Sequence, residues 1–283
     1  MKPLVDVVVA GAGSNGAAEE GALAVIENVA TIARIGGASA GSINAVGKAA
    51  GIENMATQWG KFLSRGDLED WHLPGPLRPL GIVKSSPRCG MMAGKVMARA
   101  LGEVFGDLRM GDLGKPCRVV VGNLARRKTE TIDSENEAHK RLRVVDVVRC
   151  SSAVPFVIDA WQLDPNDTTL YTDGGTGDNV PAGLWDDKPE RPTVVIRFHE
   201  DETPHALHGI KDFAQAIFNI RQDAANNSHP SRKAVSRIVT IDIVTSGNSL
   251  DFSLTPDEIR ARRRAGIDAA RKTLAYANLT GLV

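Results

Sequence analysis

The sequence predicts an α/β fold: a three-layer sandwich around a central, mostly parallel sheet, with a nucleophile elbow and a small cap region. Two observations carry this expectation. Short apolar, β-branched runs alternate with helical segments along most of the 283 residues, a rhythm that places parallel strands under helices on both faces. Two of the early strands also run directly into glycine-rich turns that open helices, at Gly11–Gly16 and at Gly36–Gly41.

In chain order, the run Val5–Ala10 predicts a first strand, and residues 15–28 a helix opened by the first glycine turn. Residues 31–36 predict the second strand, which feeds the second turn and a helix over 40–51. Strands follow at 118–122 and 128–133, the latter pairing with the former, then a helix at 144–152 and a strand at 170–172. Strand 193–198, helix 209–226 and strand 238–244 complete the alternation. A final helix is signalled by Thr255-Pro256-Asp257-Glu258, which supplies a capping threonine, a proline in the first turn and a reciprocal glutamate, with Gly281 expected to close it. The basic cluster Arg260–Arg264 on that helix reads as a solvated face.

The rhythm breaks over 59–114, expected to be a cap or lid excursion within a single catalytic domain spanning 1–283. Trp71–Leu80 is apolar and proline-rich, and Met91–Met97 leads into a helix reaching about Val104. An exposed Trp/Leu/Pro/Met surface suits a lipid, and thioethers adapt to flexible ligands. A packed excursion covering a sheet edge is the competing reading.

Composition excludes several classes. Lys plus Arg and Asp plus Glu both total 34, so no global field draws nucleic acid or anionic lipid, and any membrane contact must be local. No apolar run approaches the roughly 18 residues of a membrane span, and the short N-terminal run carries Asp6, unlike a signal peptide. The expected location is cytoplasmic, with peripheral contact at a membrane. Cys89, Cys117 and Cys150 lack paired spacing, which argues against a disulfide framework or zinc site. His199, His205 and His208 fall in an acidic, proline-bearing stretch without a metal-binding helix motif, so no metal is expected.

The chemistry concentrates in three places. Gly37-Ala38-Ser39-Ala40-Gly41 fits Gly-x-Ser-x-Gly, in which a serine stands on a sharp strand-to-helix corner and flanking glycines admit neighbouring backbone. Gly11-Ala12-Gly13 with Gly16 could read as a dinucleotide fingerprint, but no carboxylate lies between Glu27 and Glu53 to hold a ribose. The loop is better read as an anion cradle whose N–H groups serve the same spot as Ser39. A base is needed, and no histidine carries a supporting motif. Asp173-Gly174-Gly175, at the end of a short strand, places a carboxylate where α/β folds put their chemistry, so a Ser39/Asp173 dyad replaces a triad.

Taken together, the Gly11–Gly16 loop, the Gly37–Gly41 elbow and Asp173-Gly174-Gly175 resemble the patatin-like phospholipases, a family of lipid acyl hydrolases. Cys150-Ser151-Ser152-Ala153-Val154-Pro155, Asp178-Asn179-Val180-Pro181, Leu250-Asp251-Phe252 and the closing helix extend the resemblance over nearly the whole chain. It implies Ser39 as nucleophile, Asp173 as general base, backbone N–H groups at Gly11, Ala12 and Gly13 as the oxyanion hole, and no metal or other cofactor. The implied substrate is a phospholipid or another acyl ester, and nucleic acid is not an expected partner. Ala12 stands where a third glycine is usual, and Asn15 where a basic residue is usual. These departures leave a catalytically silent scaffold open, and the resemblance itself leaves open a membrane-damaging effector activated by a partner or nucleotide, as some patatin-like enzymes are. Whether an oligomer or activating partner is needed stays open as well.

Overall fold

The computed structural model describes residues 1–53, 55–63, 68–199, 216, 220, 238–245, 249–275 and 277. The expected helix over 209–226 (apart from 216 and 220), His205, His208, His229 and Gly281 lie outside the described residues.

The sheet is organised around β1 (Leu4–Val9), whose neighbours are β2 (Thr31–Ala38) and β8 (Thr193–His199), both parallel to it. β4 (Cys117–Asn123) continues the parallel arrangement beyond β2, and β9 (Ile238–Val244) beyond β8. β5 (Lys128–Asp133) closes one edge antiparallel to β4, and β7 (Tyr171–Asp173) also pairs antiparallel with β4. The expected mixed, mostly parallel sheet is therefore present in the order β5-β4-β2-β1-β8-β9.

Successive strand residues face opposite sides, which divides β1 between two packed layers. Val5, Val7 and Val9 belong to the larger core with α1 (Gly16–Val29), α2 (Ala40–Ala49), α6 (Val144–Ser151) and the final helix α7 (Pro256–Leu274). Val8 and Ala10 belong to a smaller cluster with Val180, Trp185 and Val195. There Trp185 lies between the guanidinium groups of Arg34 and Arg118, 4.9 and 4.4 Å from its ring centre. Each cation is neutralised in turn: Arg34 by the buried Asp6, Arg118 by Asp133 and Asp187.

α7 begins as its sequence demands. Thr255 accepts from the Glu258 N–H, and the Glu258 carboxylate accepts from the Thr255 N–H at 2.7 Å. Its basic cluster is not uniformly solvated, however. Arg262 is buried and donates to Ser14 Oγ at 2.7 Å, and Arg263 Nε reaches Glu20 Oε2 on α1 at 2.6 Å. The approach is close because the helices cross at glycines: a Cβ on Gly266 would lie 1.8 Å from Ala18 O, and one on Gly21 2.3 Å from Arg263 O.

The 59–114 excursion differs from the exposed apolar surface expected of it. α3 (Met55–Leu63) inserts Trp59 and Leu63 into the large core. Met91 and Met92 form β3 (Gly90–Met92), which pairs in parallel with β6 (Phe156–Ile158), and Met97 starts the buried face of α5 (Lys95–Phe105). All three methionines are buried with Leu101 and Phe105, so they are core residues and not a lipid-facing surface. The remaining exposed apolar side chains of this segment, Leu77, Leu80 and Val83, lie on the 3-10 turn Gly75–Leu80 and the short α4 (Gly81–Lys84).

Glu19 is a buried acid under the helices. Its Oε2 accepts from Asn44 Nδ2 at 2.8 Å, and Asn44 Oδ1 accepts from Trp59 Nε1 at 2.7 Å. Desolvation pushes its pKa up to about 8, against the opposing Asn44 hydrogen bond. A folded pKa above the unfolded value gives stability that is complete below the ordinary glutamate pKa and is lost as pH rises through about 8. Glu19→Gln should therefore gain stability over wild type in denaturant unfolding at about pH 9, the difference shrinking toward about pH 5. A pH-independent difference would show that Glu19 does not titrate in this window.

Candidate active site

The sheet register brings Ser39 and Asp173 together. β2 runs parallel to β4 and ends with Ala38 opposite Val120, whereas β7 runs antiparallel to β4 and ends with Asp173 opposite Val121. The two strands thus approach end to end beside consecutive β4 residues. Ser39 Oγ donates to Asp173 Oδ2 at 2.6 Å, with Ser39 5 % exposed and Asp173 fully buried.

The elbow is backbone-strained at the serine. Ser39 has φ 52° and ψ −130°, a region costing a non-glycine residue about 1–3 kcal/mol, and α2 starts at the next residue. Gly37 and Gly41 make the corner possible: a Cβ on Gly41 would lie 2.3 Å from Ala10 O and 2.4 Å from Val9 O, and one on Gly37 2.6 Å from Val9 O. These two positions carry the close approach that the motif anticipates.

The last residue of α6 and the segment after it hold the backbone of both residues. Ser151 Oγ accepts from the Ser39 N–H at 2.9 Å and donates to Val120 O at 2.7 Å. Two residues on, Ala153 O accepts from the Asp173 N–H at 2.9 Å and from Thr172 Oγ1 at 2.7 Å. The Cys150–Pro155 motif therefore holds the backbone of Ser39 and Asp173 from one side. Residue patterning did not single out Ser151; its only signal was membership of that motif.

Asp173 is anchored further by the glycines behind it. Its Oδ1 accepts from the Gly175 N–H at 2.7 Å, and a Cβ on Gly174 would lie 2.1 Å from Val120 O. Burial pushes the carboxyl pKa up to about 7, opposed by the Ser39 hydroxyl and the Gly175 N–H.

The Gly11–Gly16 loop lies over the serine. A Cβ on Gly11 would stand 3.0 Å from Ser39 Cβ and 2.2 Å from Asn179 Oδ1. The Gly11 N–H donates to Asn179 O at 2.9 Å, so it is already committed. Among the described residues the N–H groups of Ala12 and Gly13 have no acceptor. Ala12 sits at φ −144°, which an alanine adopts freely, while the left-handed φ of +54° falls on Gly13. Ser14 N–H donates to Ser249 O at 2.7 Å. Asn15 is buried, so it does not offer a surface for a head group, and the positive charge reaching this loop comes from Arg262 on α7. Asn179 and Arg262 are two supports that sequence spacing could not reveal, since they lie 168 and 248 residues from their partners.

The histidines with described side chains stand apart from the serine. His72 Nε2 pairs with Asp159 Oδ2 at 3.0 Å, and His139 Nδ1 accepts from the Asp133 N–H. Cys117 and Cys150 are buried free thiols whose pKa values burial raises, and Cys89 is exposed and also free. No group of three or more metal-binding side chains occurs among the described residues.

A buried serine on a strand-to-helix elbow, bonded to an aspartate and overlain by a glycine loop, is the arrangement of an α/β fold with a nucleophile-elbow motif. Within that class, the family model for patatin-like phospholipases matches residues 7–184, and the chain belongs to this family. Among curated proteins none matches the chain. Of solved structures, VipD from Legionella pneumophila is similar over 96% of this chain and 66% of its own, at 18% identity and a TM-score of 0.52. The ExoU–SpcU complex from the type III secretion system of Pseudomonas aeruginosa is similar over 97% of this chain and 52% of that one, at 15% identity and a TM-score of 0.45. The chain thus spans about half to two thirds of the structures it matches. The likeness to VipD concerns the fold, a mostly parallel sheet flanked by helices.

Proposed function

We propose that the protein is a serine lipid acyl hydrolase of phospholipase A type, cleaving fatty-acyl esters through a Ser39/Asp173 dyad. The observation that carries this reading is the 2.6 Å hydrogen bond from Ser39 Oγ to a buried carboxylate. Asp173 takes the hydroxyl proton as Oγ attacks the acyl carbonyl, and the N–H groups of Ala12 and Gly13 stabilise the oxyanion. The proton then passes from Asp173 to the leaving alcohol, which frees an acyl-enzyme on Ser39. Water attacks the acyl-enzyme, Asp173 accepting its proton, and Asp173 then returns that proton to Ser39 Oγ as the fatty acid leaves. A base with pKa about 7 suits both directions of transfer near neutral pH.

The negative φ of Ala12 supports an active enzyme over a silent scaffold, because the missing glycine leaves no strain in the loop. The test is mass spectrometry of a phospholipid mixture before and after incubation. The wild-type chain should release free fatty acid, with lysophospholipid as co-product, and Ser39→Ala should release none; equal release by both would end the proposal.

Ser151 enters this mechanism as a positioning residue, since its hydroxyl holds the Ser39 N–H against β4. Ser151→Ala should lower kcat on a soluble ester by about 10–100-fold with little change in KM, and Ser151→Thr should recover much of the loss. A rise in KM at constant kcat would place Ser151 in substrate binding instead.

A further inference from the structure

Leu77, Leu80 and Val83 recur every third residue along the turn Gly75–Leu80 and α4, and they are 50%, 57% and 76% exposed. In a 3-10 turn residues three apart eclipse one another, so Leu77 and Leu80 share a face, and the single turn of α4 carries Val83 close to it. The opposite side of this run is seated on the molecule. A Cβ on Gly81 would lie 3.2 Å from His72 Cβ and 3.3 Å from Met91 O, and Ile82 packs against the large core. The apolar ridge is therefore held up by a built support.

The stretch of chain that carries the ridge is one-signed. Between Trp71 and Gly102 the chain has five Lys/Arg residues and no Asp or Glu, in a protein whose formal net charge is zero. Lys84 directly follows Val83 and is exposed, as are Lys95 and Arg99, while Arg78 stacks over Trp71 at 4.1 Å between Leu77 and Leu80 in sequence. Three acids that reach this segment from outside are engaged within it: Asp70 accepts from the N–H groups of Gly94, Lys95 and Val96, Asp159 binds Gly90 and His72, and Glu69 accepts from Trp71 Nε1 at 3.1 Å. Apolar side chains projecting from a basic segment complement a surface that is anionic at the head groups and apolar beneath them.

We infer that Leu77, Leu80 and Val83, with Lys84 and Arg78 beside them, form a docking ridge for an anionic lipid bilayer. This rests on the acyl hydrolase reading for its purpose, since the docked ridge would bring the enzyme to its substrate. Its binding can be measured without turnover. No helix among the described residues is long and apolar enough to cross a membrane, so this contact is interfacial.

The test uses the full chain carrying Ser39→Ala, floated with vesicles of phosphatidylcholine alone or with roughly one third phosphatidylglycerol. Binding should require the anionic lipid and weaken at high salt, because exposed charges are screened. Leu80→Asp with Val83→Asp, and separately Lys84→Glu, should each weaken it by about tenfold or more. Equal binding to both vesicle types, no binding to either, or unchanged binding in both variants would overturn the inference. The same surface changes in an otherwise wild-type chain should leave hydrolysis of a short soluble ester unchanged, showing that a binding loss is not misfolding. Absence of ester hydrolysis in the wild type would count against the hydrolase reading alone.

Discussion

Ser39→Ala and Asp173→Asn are each expected to lower hydrolysis of a soluble ester by at least about 10⁴-fold, and the double variant is expected to be no slower than either. Ser39 Oγ has Asp173 as its hydrogen-bond acceptor at 2.6 Å, whereas His72 is bonded to Asp159 and His139 to the Asp133 N–H. If Asp173 is the base for Ser39, removing the nucleophile or the base disables the same step, so the two losses do not add. Asparagine keeps the shape of Asp173 but cannot accept the proton, so the variant should fold while losing activity. Substantial activity in Asp173→Asn would remove the carboxylate from the mechanism, and additive losses would show that the residues act independently.

Gly41→Ala should be nearly as damaging, with a loss of about 10³-fold or more, for a reason that involves no chemistry at position 41 itself. The added Cβ would meet Ala10 O at 2.3 Å and Val9 O at 2.4 Å. Those carbonyls belong to the end of β1 and the start of the glycine loop, which cannot yield like a flexible side chain. The elbow would have to move away from the loop, and a shift of a fraction of an ångström separates Oγ from Asp173 and from the loop N–H groups. Gly60→Ala is the matched control, since its added Cβ meets nothing within 4 Å and lies in α3, where alanine is the better helix former. Activity and unfolding midpoints of the two variants, measured side by side, separate elbow distortion from a general intolerance of added methyl groups. Full activity in Gly41→Ala would mean that the glycine is not needed for the corner.

The strands of the sheet were legible because each couples an apolar β-branched run to a turn or helix signal, and β5 and β9 fall at residues 128–133 and 238–244 as the pattern requires. The family was legible from Ser39, Asp173 and the two glycine turns, since each motif carries its own backbone requirement. The cap was less legible. Met91, Met92 and Met97 read as a lipid-facing surface, whereas β3 and β6 fold them inward, and a two-stranded pairing across 63 intervening residues leaves no local trace. Arg262 reads as one of a run of solvated arginines until α7 crosses α1 at Gly266 and points it at Ser14. The pattern of a helix states which residues share a face, but not which face another helix will cover. Gly11 illustrates the same limit at finer scale: its place in the loop is set by the motif, but Asn179 O takes its N–H, leaving Ala12 and Gly13 as the donors proposed for the oxyanion.

The proposal that Asp173 activates Ser39 is tested most directly by the rate of fluorophosphonate labelling as a function of pH, with the adduct mapped by peptide mass spectrometry. The group needed as base titrates near pH 7 and acts when deprotonated, so labelling should be slow in acid, rise through about pH 7 and level off above it. A single adduct on Ser39 is expected, absent in Ser39→Ala and formed in Asp173→Asn only slowly and without the rise near neutrality. An adduct on another residue, or a Ser39 rate whose pH dependence survives in Asp173→Asn, would contradict it.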